Sequence, residues 1–586
     1  MKTRHTVRNG DIDLAVYEEG VADGEVVLLL HGWPDSHRLW DGVVPRLTDR
    51  FRVVRVDNRG HGESTNPRGA RSISVRAIAE DAAAVIDAVS PGRPVHILAH
   101  DWGSVAAWEL VSADDAPERI ASFTSVSGPS LEHVAEWVRA RLRRPTPRNI
   151  AQPLAALLAF SYSLLFALPL VPRLLLAGMN EQRWRTWLAR AEGIAPQAIH
   201  LGPGFHRDML SGLRIYRSVW STASSNPLVA TGRTTDVPVQ ILIGSRDPAV
   251  RVACYADERK WADDVSLRVV AGGHWLPFSH PELLATSTVE LIDAVGGSAV
   301  ARSLRRARMG VRRKAFEDQL VVVTGAGSGI GRATATAFAA AGAEVVLSDI
   351  DGPAAEEAAA SIRAAGGTAH AYELDVAADD AVAGHAEHVL TRHGVPDVLI
   401  NNAGIGHAGR FLDTPAAEFD RVHAVNFRGV LNGCRAFGGA MAARGLGGHI
   451  VNLSSMAAYS PQQQLSAYGS SKASVLAFSD ALRAELASAE VRVTTVCPGI
   501  VHTNIIAATR FSGVDPDEEK RLRQRYDAIY RRRGYGPQKV AERIVRAVRR
   551  GEQIVPVTPE AVVQYHVSRF APGAVRRAAA RTSLIR

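Results

Sequence analysis

The feature that most constrains the fold is a rhythm that occurs twice. Short apolar runs alternate with longer stretches of helical periodicity, a pattern that suits a parallel sheet covered by helices. The first set of runs is Val26–Leu30, Arg52–Val56, Val95–Ala99, Val239–Ile243 and Ser266–Val270. The second is Leu320–Val323, Glu344–Leu347, Val398–Ile400, His449–Leu453 and Arg492–Val496. Between them lies a basic stretch holding Arg302, Arg305, Arg306, Arg308, Arg312, Arg313 and Lys314. A chain of 586 residues has length enough for two cores. The expectation is two α/β domains, 1–296 and 317–586, joined by a basic linker at 297–316.

Inside the first domain the rhythm stops between about 130 and 236, where the chain is helical and rich in Trp and Leu. This block reads as a lid inserted into the domain. Its segment 149–172 carries no charge, which raises a membrane-spanning helix. Pro153, Pro169 and Pro172 and the polar patch Ser161–Ser163 favour a lid over an apolar pocket, one that could touch a membrane.

The net charge is +8 and the isoelectric point about 9.5. The excess lies in the 297–316 cluster and in a sparser tail, Arg569, Arg576, Arg577, Arg581 and Arg586. Neither has an aromatic stacking pattern or a zinc or helix-turn-helix signature, so no nucleic-acid partner is expected. A solvated linker and tail is the reading preferred over membrane attachment. Cys254, Cys434 and Cys497 are too scattered for a disulfide framework or a metal site. The first residues lack the apolar core of a signal peptide, so a cytoplasmic location is expected.

In the first domain, residues 95–104 (VHILAHDWGS) read as strand, sharp turn and helix. Small residues at Ala99 and Gly103 leave room for Asp101 on a strained turn. A carboxylate there attacks carbon and forms an alkyl-enzyme ester. An Asp opening a helix is also a common N-cap. Three further elements favour chemistry, each placed after a strand. The loop Leu30–Asp35 (LHGWPD) offers the backbone N–H of Trp33, with that of Trp102, to a developing oxyanion. Asp247 in GSRDP is the natural acid and His274 in GGHW the natural base. Their order, nucleophile, acid, histidine, is that of α/β-hydrolases.

With DNRGHGES at Asp57–Ser64, these motifs resemble the epoxide hydrolase and haloalkane dehalogenase branch of the α/β-hydrolase superfamily, over residues 10 to about 295. The resemblance implies an α/β-hydrolase fold with a helical lid and no cofactor. It also implies two lid tyrosines that pull on an epoxide oxygen. Tyr162 in SYSLLFALP and Tyr216 in SGLRIYR match those segments, although Ser161 stands where the family usually has an aromatic. Two packing tyrosines, and a dehalogenase in place of an epoxide hydrolase, are the alternatives.

In the second domain, residues 320–331 (LVVVTGAGSGIG) join an apolar strand to an alanine-rich helix. Glycines there permit a tight turn and close approach of a pyrophosphate to a helix N-terminus. Asp349, about twenty residues on, can bind an adenosine ribose and repel a 2′-phosphate. Ser328, not Arg or Lys, precedes Gly329, and the reading is NAD in preference to NADP.

Gly325, Gly329 and Gly331, flanking Ser328 and Ile330, have the spacing of short-chain dehydrogenases, a family this half resembles over 317 to about 550. The resemblance implies a Rossmann-type doubly wound parallel sheet. It carries adenine contacts onto Asp375 and Val376, cofactor contacts onto Asn402, Ala403 and Gly404, and nicotinamide closure onto Pro498, Gly499 and Thr503. Tyr468 and Lys472, four apart on a helix and so on one face, form the reactive pair. The ammonium is expected to lower the phenol pKa. Ser455 polarises substrate and Asn426 relays protons.

As a whole the chain resembles bacterial epoxide hydrolase–dehydrogenase fusion proteins. That implies a bifunctional enzyme acting on small hydrophobic, lipid-like substrates, the diol from one half being an alcohol the other could oxidise. By resemblance a homo-oligomer is expected, with peripheral membrane contact through lid, linker or tail as an option. One half serving only for binding or oligomerisation is the alternative.

Overall fold

The computed structural model describes residues 3–69, 71–221 and 232–580. Residues 222–231 of the expected lid, and Arg581 and Arg586 of the tail, lie outside the described residues. The chain divides into two compact units, Met1–Val311 and Arg312–Arg586.

The first unit is built on an eight-stranded sheet. Its strands are β1 (Thr3–Asn9), β2 (Ile12–Gly20), β3 (Val26–Leu30), β4 (Arg52–Val56), β5 (Val95–His100), β6 (Ile120–Val126), β7 (Val239–Gly244) and β8 (Val265–Val270). Their order is β1-β2-β4-β3-β5-β6-β7-β8. Only the β1–β2 and β2–β4 pairings are antiparallel. β3 and β5 are buried along their whole length because helices cover both faces of the sheet, which is why they read as unbroken apolar runs. This is the α/β-hydrolase arrangement.

Between β6 and β7 the chain leaves the sheet for a series of helices, among them Leu131–Leu142, Pro147–Phe160, Tyr162–Ala167, Val171–Leu176, Glu181–Glu192, Phe205–Gly212 and Arg214–Ser221. The uncharged segment is not one helix: it breaks at Ser161 and again at residues 168–170, before Val171–Leu176. By length and composition alone Pro147–Ala167 could cross a membrane, and only 11% of its most apolar window is buried.

The second unit carries a seven-stranded sheet. Its strands are β9 (Leu320–Thr324), β10 (Glu344–Asp349), β11 (Thr368–Glu373), β12 (Val398–Asn401), β14 (Gly448–Leu453), β15 (Val491–Cys497) and β17 (Ile554–Pro556), while β13 (His407–Ala408) and β16 (Arg510–Phe511) form a separate pair. The order β11-β10-β9-β12-β14-β15-β17 is parallel throughout. The chain starts in the middle at β9, winds outward to β11, and returns to extend the sheet from β12. This doubly wound order leaves a crevice at the carboxyl ends of β9 and β12, where such sheets bind ligands.

The basic stretch is not a solvated strap. Arg302–Ala307 is a helix that buries Leu304, and the Met309 N–H donates to Val265 O. Further on, Phe316 is buried edge-on against Phe338, 4.8 Å away. Two apolar anchors hidden among the arginines hold the segment onto the two units in turn. The described part of the tail is likewise helical, in Pro559–Phe570 and Pro572–Ala579.

Candidate active sites

In the first unit, Asp101 sits between β5 and the helix Trp102–Val111 with φ 49° and ψ −125°. A non-glycine residue rarely adopts such a backbone, and the strain marks a residue whose position is dictated by its surroundings. The crowding is direct, since a Cβ on Gly103 would lie 2.4 Å from His31 O. The Trp33 N–H donates to Asp101 Oδ2 (2.9 Å). The other expected donor, Trp102, is the first residue of the following helix.

His274 faces the same carboxylate, with Nε2 3.7 Å from Asp101 Oδ1. Its Nδ1 donates to Asp247 Oδ2 (2.9 Å), and Asp247 Oδ1 accepts the N–H groups of Ala249 and Val250. Burial disfavours a charge on His274, but Asp247 and Asp101 outweigh it and hold its pKa well above the usual value. Burial pushes Asp247 the other way, and His274 with the two amides keeps it below the ordinary range.

The two lid tyrosines meet over this group. Their rings are 6.0 Å apart, edge to face, and Tyr216 also packs on Trp33 and Trp102. Burial, and the nearness of Asp101, raise both phenol pKa values, so both rings carry their proton. Two groups that sequence reading missed, Glu192 and His100, frame the site. Glu192, from the lid, accepts the N–H groups of His274 (3.0 Å) and Trp275 (3.1 Å). His100 hydrogen-bonds to His274 O (3.0 Å). Asp57 accepts from the backbone and ring of His37 and, although buried, is held at about 2. Nothing in the local sequence around Glu192 signals its reach, because the contact spans 82 residues.

In the second unit, a cleft of about 740 Å³ opens at the crevice. It is bordered by Gly325, Ser328, Gly329, Ile330, Asp349, Asp375, Val376, Asn402, Ala403, Gly404, Tyr468, Lys472, Pro498, Gly499 and Thr503. Of the expected cofactor-binding residues, only Gly331 does not border it. Gly331 packs inward, where a Cβ would stand 2.0 Å from Gly325 O. Gly325 (φ 62°) and Gly329 (φ 54°) take backbone conformations that a side chain disfavours. The free N–H groups at the start of Gly329–Ala340 therefore face an open cradle that suits a pyrophosphate.

Asp349 ends β10 and accepts the Gly327 N–H (2.8 Å). Asn402 donates to the carbonyls of Thr324 and Gly325, tying the end of β12 to the glycine turn. Asp375 accepts the Ala377 N–H, and Val376 packs under Gly429. Asn426 is fully buried in a π-helical turn, Ala424–Arg428, an irregularity frequent at functional sites. Its amide exchanges hydrogen bonds with the backbone of Ile405.

One expectation is corrected here. Tyr468 has its pKa raised, not lowered: burial dominates, against a hydrogen bond with Ser455. Lys472 is itself buried, its pKa falls to about 8, and its Nζ donates to Leu453 O (2.9 Å). Sequence spacing gives a shared helix face but not the dielectric, and here desolvation is the largest cause of the shift of each group. Tyr530 was also missed. It borders the cleft close to Tyr468, and burial pushes it to about 12. Among the described residues one group, Glu344, His370 and His393, brings three possible metal-ligand atoms within 4.8 Å. Glu344 starts β10, at the end of the strand away from Asp349.

Residues 25–281 match the family described as alpha/beta hydrolase fold, and residues 319–511 match short chain dehydrogenase. "Probable oxidoreductase EphD" of Mycobacterium bovis is 48% identical over 575 residues, covering 97% of this chain and 96% of that protein. Its counterpart in Mycobacterium tuberculosis gives the same values. "Putative oxidoreductase SadH" of Mycobacterium tuberculosis is 34% identical over 249 residues, 42% of this chain and 88% of its own. With both units matched and a relative aligned nearly end to end, the chain belongs to the EphD-type family of proteins that fuse an α/β-hydrolase to a short-chain dehydrogenase.

Proposed function

We propose that the first unit hydrolyses epoxides to vicinal diols and that the second interconverts an alcohol and a ketone with NAD, both acting on hydrophobic substrates. The observation that carries the first half of this reading is the strained Asp101, set between His274 and two protonated phenols.

Asp101 Oδ2 is held by the Trp33 amide, which leaves Oδ1 to attack an epoxide carbon. The carbon–oxygen bond breaks, and the departing oxygen takes a proton from Tyr162 or Tyr216. Forming the ester erases the charge of Asp101. His274 then loses one of the two anions that keep it protonated, and its pKa falls towards that of a useful base. It passes its proton to the tyrosinate left by ring opening and, now neutral, takes a proton from water; the hydroxide adds to the ester carbonyl, and the oxyanion stays beside the Trp33 N–H. Collapse releases the diol and restores the carboxylate. The Trp33 indole donates to Met209 O and is not available to a halide, but the Trp102 indole beside the nucleophile is, so halide release is the second reading that the product analysis must separate from diol formation.

In the second unit a bound nicotinamide would supply the hydride acceptor or donor. Tyr468, beside Ser455, would exchange the proton of the substrate hydroxyl, and Lys472 and Asn426 would order the polar groups behind it. Asp349, facing the glycine turn, supports NAD over NADP. The cleft is also lined by Ile505, Ile506, Phe511, Ile529 and Tyr530, an apolar set that supports a lipid-like substrate.

A diol from the first site is a secondary alcohol the second could oxidise. The test supplies a panel of long-chain epoxides with NAD or NADP and analyses the products. Diol, followed by hydroxyketone and NADH, is the expected result. Diol without NADH would separate the two activities, and absence of diol from every epoxide would remove the epoxide reading.

A further inference from the structure

The outer side of the lid is unlike the rest of the molecule. Between residues 150 and 175, eleven large apolar side chains are each more than a third exposed. On Pro147–Phe160 they fall at Ile150, Leu154, Leu157 and Leu158, the spacing of a single helical stripe. On the next two helices the series continues through Leu164, Leu168, Leu170 and Leu174, the last 77% exposed. Soluble monomers rarely show so large a contiguous apolar surface without a partner for it.

The opposite side of these helices is already committed. Phe166 packs on Trp33 at 5.2 Å, Tyr162 on Tyr216, and the Trp220 indole donates to Ser163 Oγ (3.1 Å). Crossing a bilayer would pull these residues out of the site. An amphipathic element of this kind lies on a membrane and does not span it.

Charge selects the partner. No Asp or Glu occurs between Glu136 and Glu181. The exposed Arg143, Arg144, Arg148 and Arg173 flank the leucines in sequence, and none of them forms an ion pair among the described residues. Arg173 is near enough to Arg214 and Arg217 for the three like charges to repel one another. Among the described residues, Arg214 and Arg217 are held only by neutral oxygens. A protein partner could offer the leucines an apolar face. A sheet of anionic headgroups above an acyl layer answers both features together.

We propose that the outer face of the lid docks on an anionic lipid bilayer, its leucines entering the acyl boundary and its arginines meeting the headgroup phosphates. On the reading that this unit opens lipid-like epoxides, Tyr162 then lies on the inner side of the docked helices, and substrate passes from the bilayer to Asp101 without crossing bulk water.

The test is co-sedimentation of the full chain with vesicles of phosphatidylcholine alone or mixed with phosphatidylglycerol. Wild type should bind the anionic vesicles at least about tenfold better than the neutral ones. Leu170→Ser with Leu174→Ser and Leu175→Ser should cut binding to both by at least about tenfold. Arg148→Glu with Arg173→Glu should abolish the anionic preference and keep weak binding to neutral vesicles. Thermal unfolding and NAD binding of each variant check that the chain is folded. Failure of wild type to sediment, or equal sedimentation by the folded leucine variant, would overturn the proposal. So would a leucine variant that changes oligomeric state by light scattering but keeps vesicle binding, since the face would then be an interface between copies. None of these readings uses epoxide turnover, so the docking can fail while the epoxide chemistry stands, or the reverse.

Discussion

The two sites lie at the same place in similar sheets, at the carboxyl ends of parallel strands, yet they are prepared in opposite ways. The hydrolase site holds its own ions: Asp101 and Asp247 flank a histidine that they keep protonated. The dehydrogenase site holds its reactive pair against charge: burial raises Tyr468 and lowers Lys472 to about 8. On the proposed reading the first is complete in the polypeptide, because its nucleophile would be a side chain. The second has glycines, amide groups and acceptors around a cleft whose charge balance a dinucleotide would finish.

The largest test of this contrast is Asp101→Ala. Removing the only attacking atom should lower diol formation by at least about 10⁴-fold, while ketone reduction by the second unit is unchanged. Full diol formation by that variant would end the comparison, since the ions would then have no role. Tyr468→Phe should cost about 10²–10⁴-fold in oxidoreduction while leaving NAD affinity within a few-fold, measured by fluorescence titration. Lost affinity with retained turnover would mean that the phenol serves binding only.

Glu192→Gln sharpens the contrast from the hydrolase side. The substitution keeps the size of the side chain but removes a negative charge near His274 and one of two strong acceptors. Hydrolysis should slow about tenfold, and the lower limb of its pH profile should move to lower pH. An unmoved profile would assign Glu192 to packing alone.

The smallest expected effect is on stability. His61 is held at about 3 and His100 at about 4 in the first unit, and His385 and His449 at about 4 in the second, all by burial. Each of these folded-state values lies below the unfolded value near 6.5, so the unfolded chain binds more protons in between. Their share of stability is therefore complete above about pH 6.5 and is lost as pH falls towards 4. His274, raised, acts in reverse: its share is present below about 6.5 and is lost as pH rises through its elevated value. Calorimetry from pH 8 to 4.5 should show both units melting earlier in acid. A flat melting temperature would mean that these histidines are not buried neutral.

Much of this was legible in the sequence. β3 begins and ends where its apolar run does, because a strand covered on both faces needs apolar residues at every position; β4 also keeps its expected bounds, although it carries Arg52 and a buried, ion-paired Arg55. β11 and β17 were not legible. β11 is an edge strand of mixed polarity, Thr-Ala-His-Ala-Tyr-Glu, and β17 has three residues. Their pairing comes from a neighbour's free edge and not from their own pattern. The helix Arg302–Ala307 was hidden for a similar reason, since one leucine among arginines carries its burial.

Among functional groups, motif and order located Asp101, Asp247, His274, Tyr468 and Lys472. A sharp turn or a helical spacing of four is local geometry, and local geometry is written in consecutive residues. The grip of Glu192 on the catalytic loop, the approach of Tyr530 to Tyr468 and the direction of the Tyr468 and Lys472 pKa shifts were decided only in three dimensions. Each depends on which distant segment excludes water from a charge, and desolvation is a property of the assembled surroundings. The sequence thus determined which chemical groups stand on which turns; the tertiary structure decided how strongly each of them holds its proton.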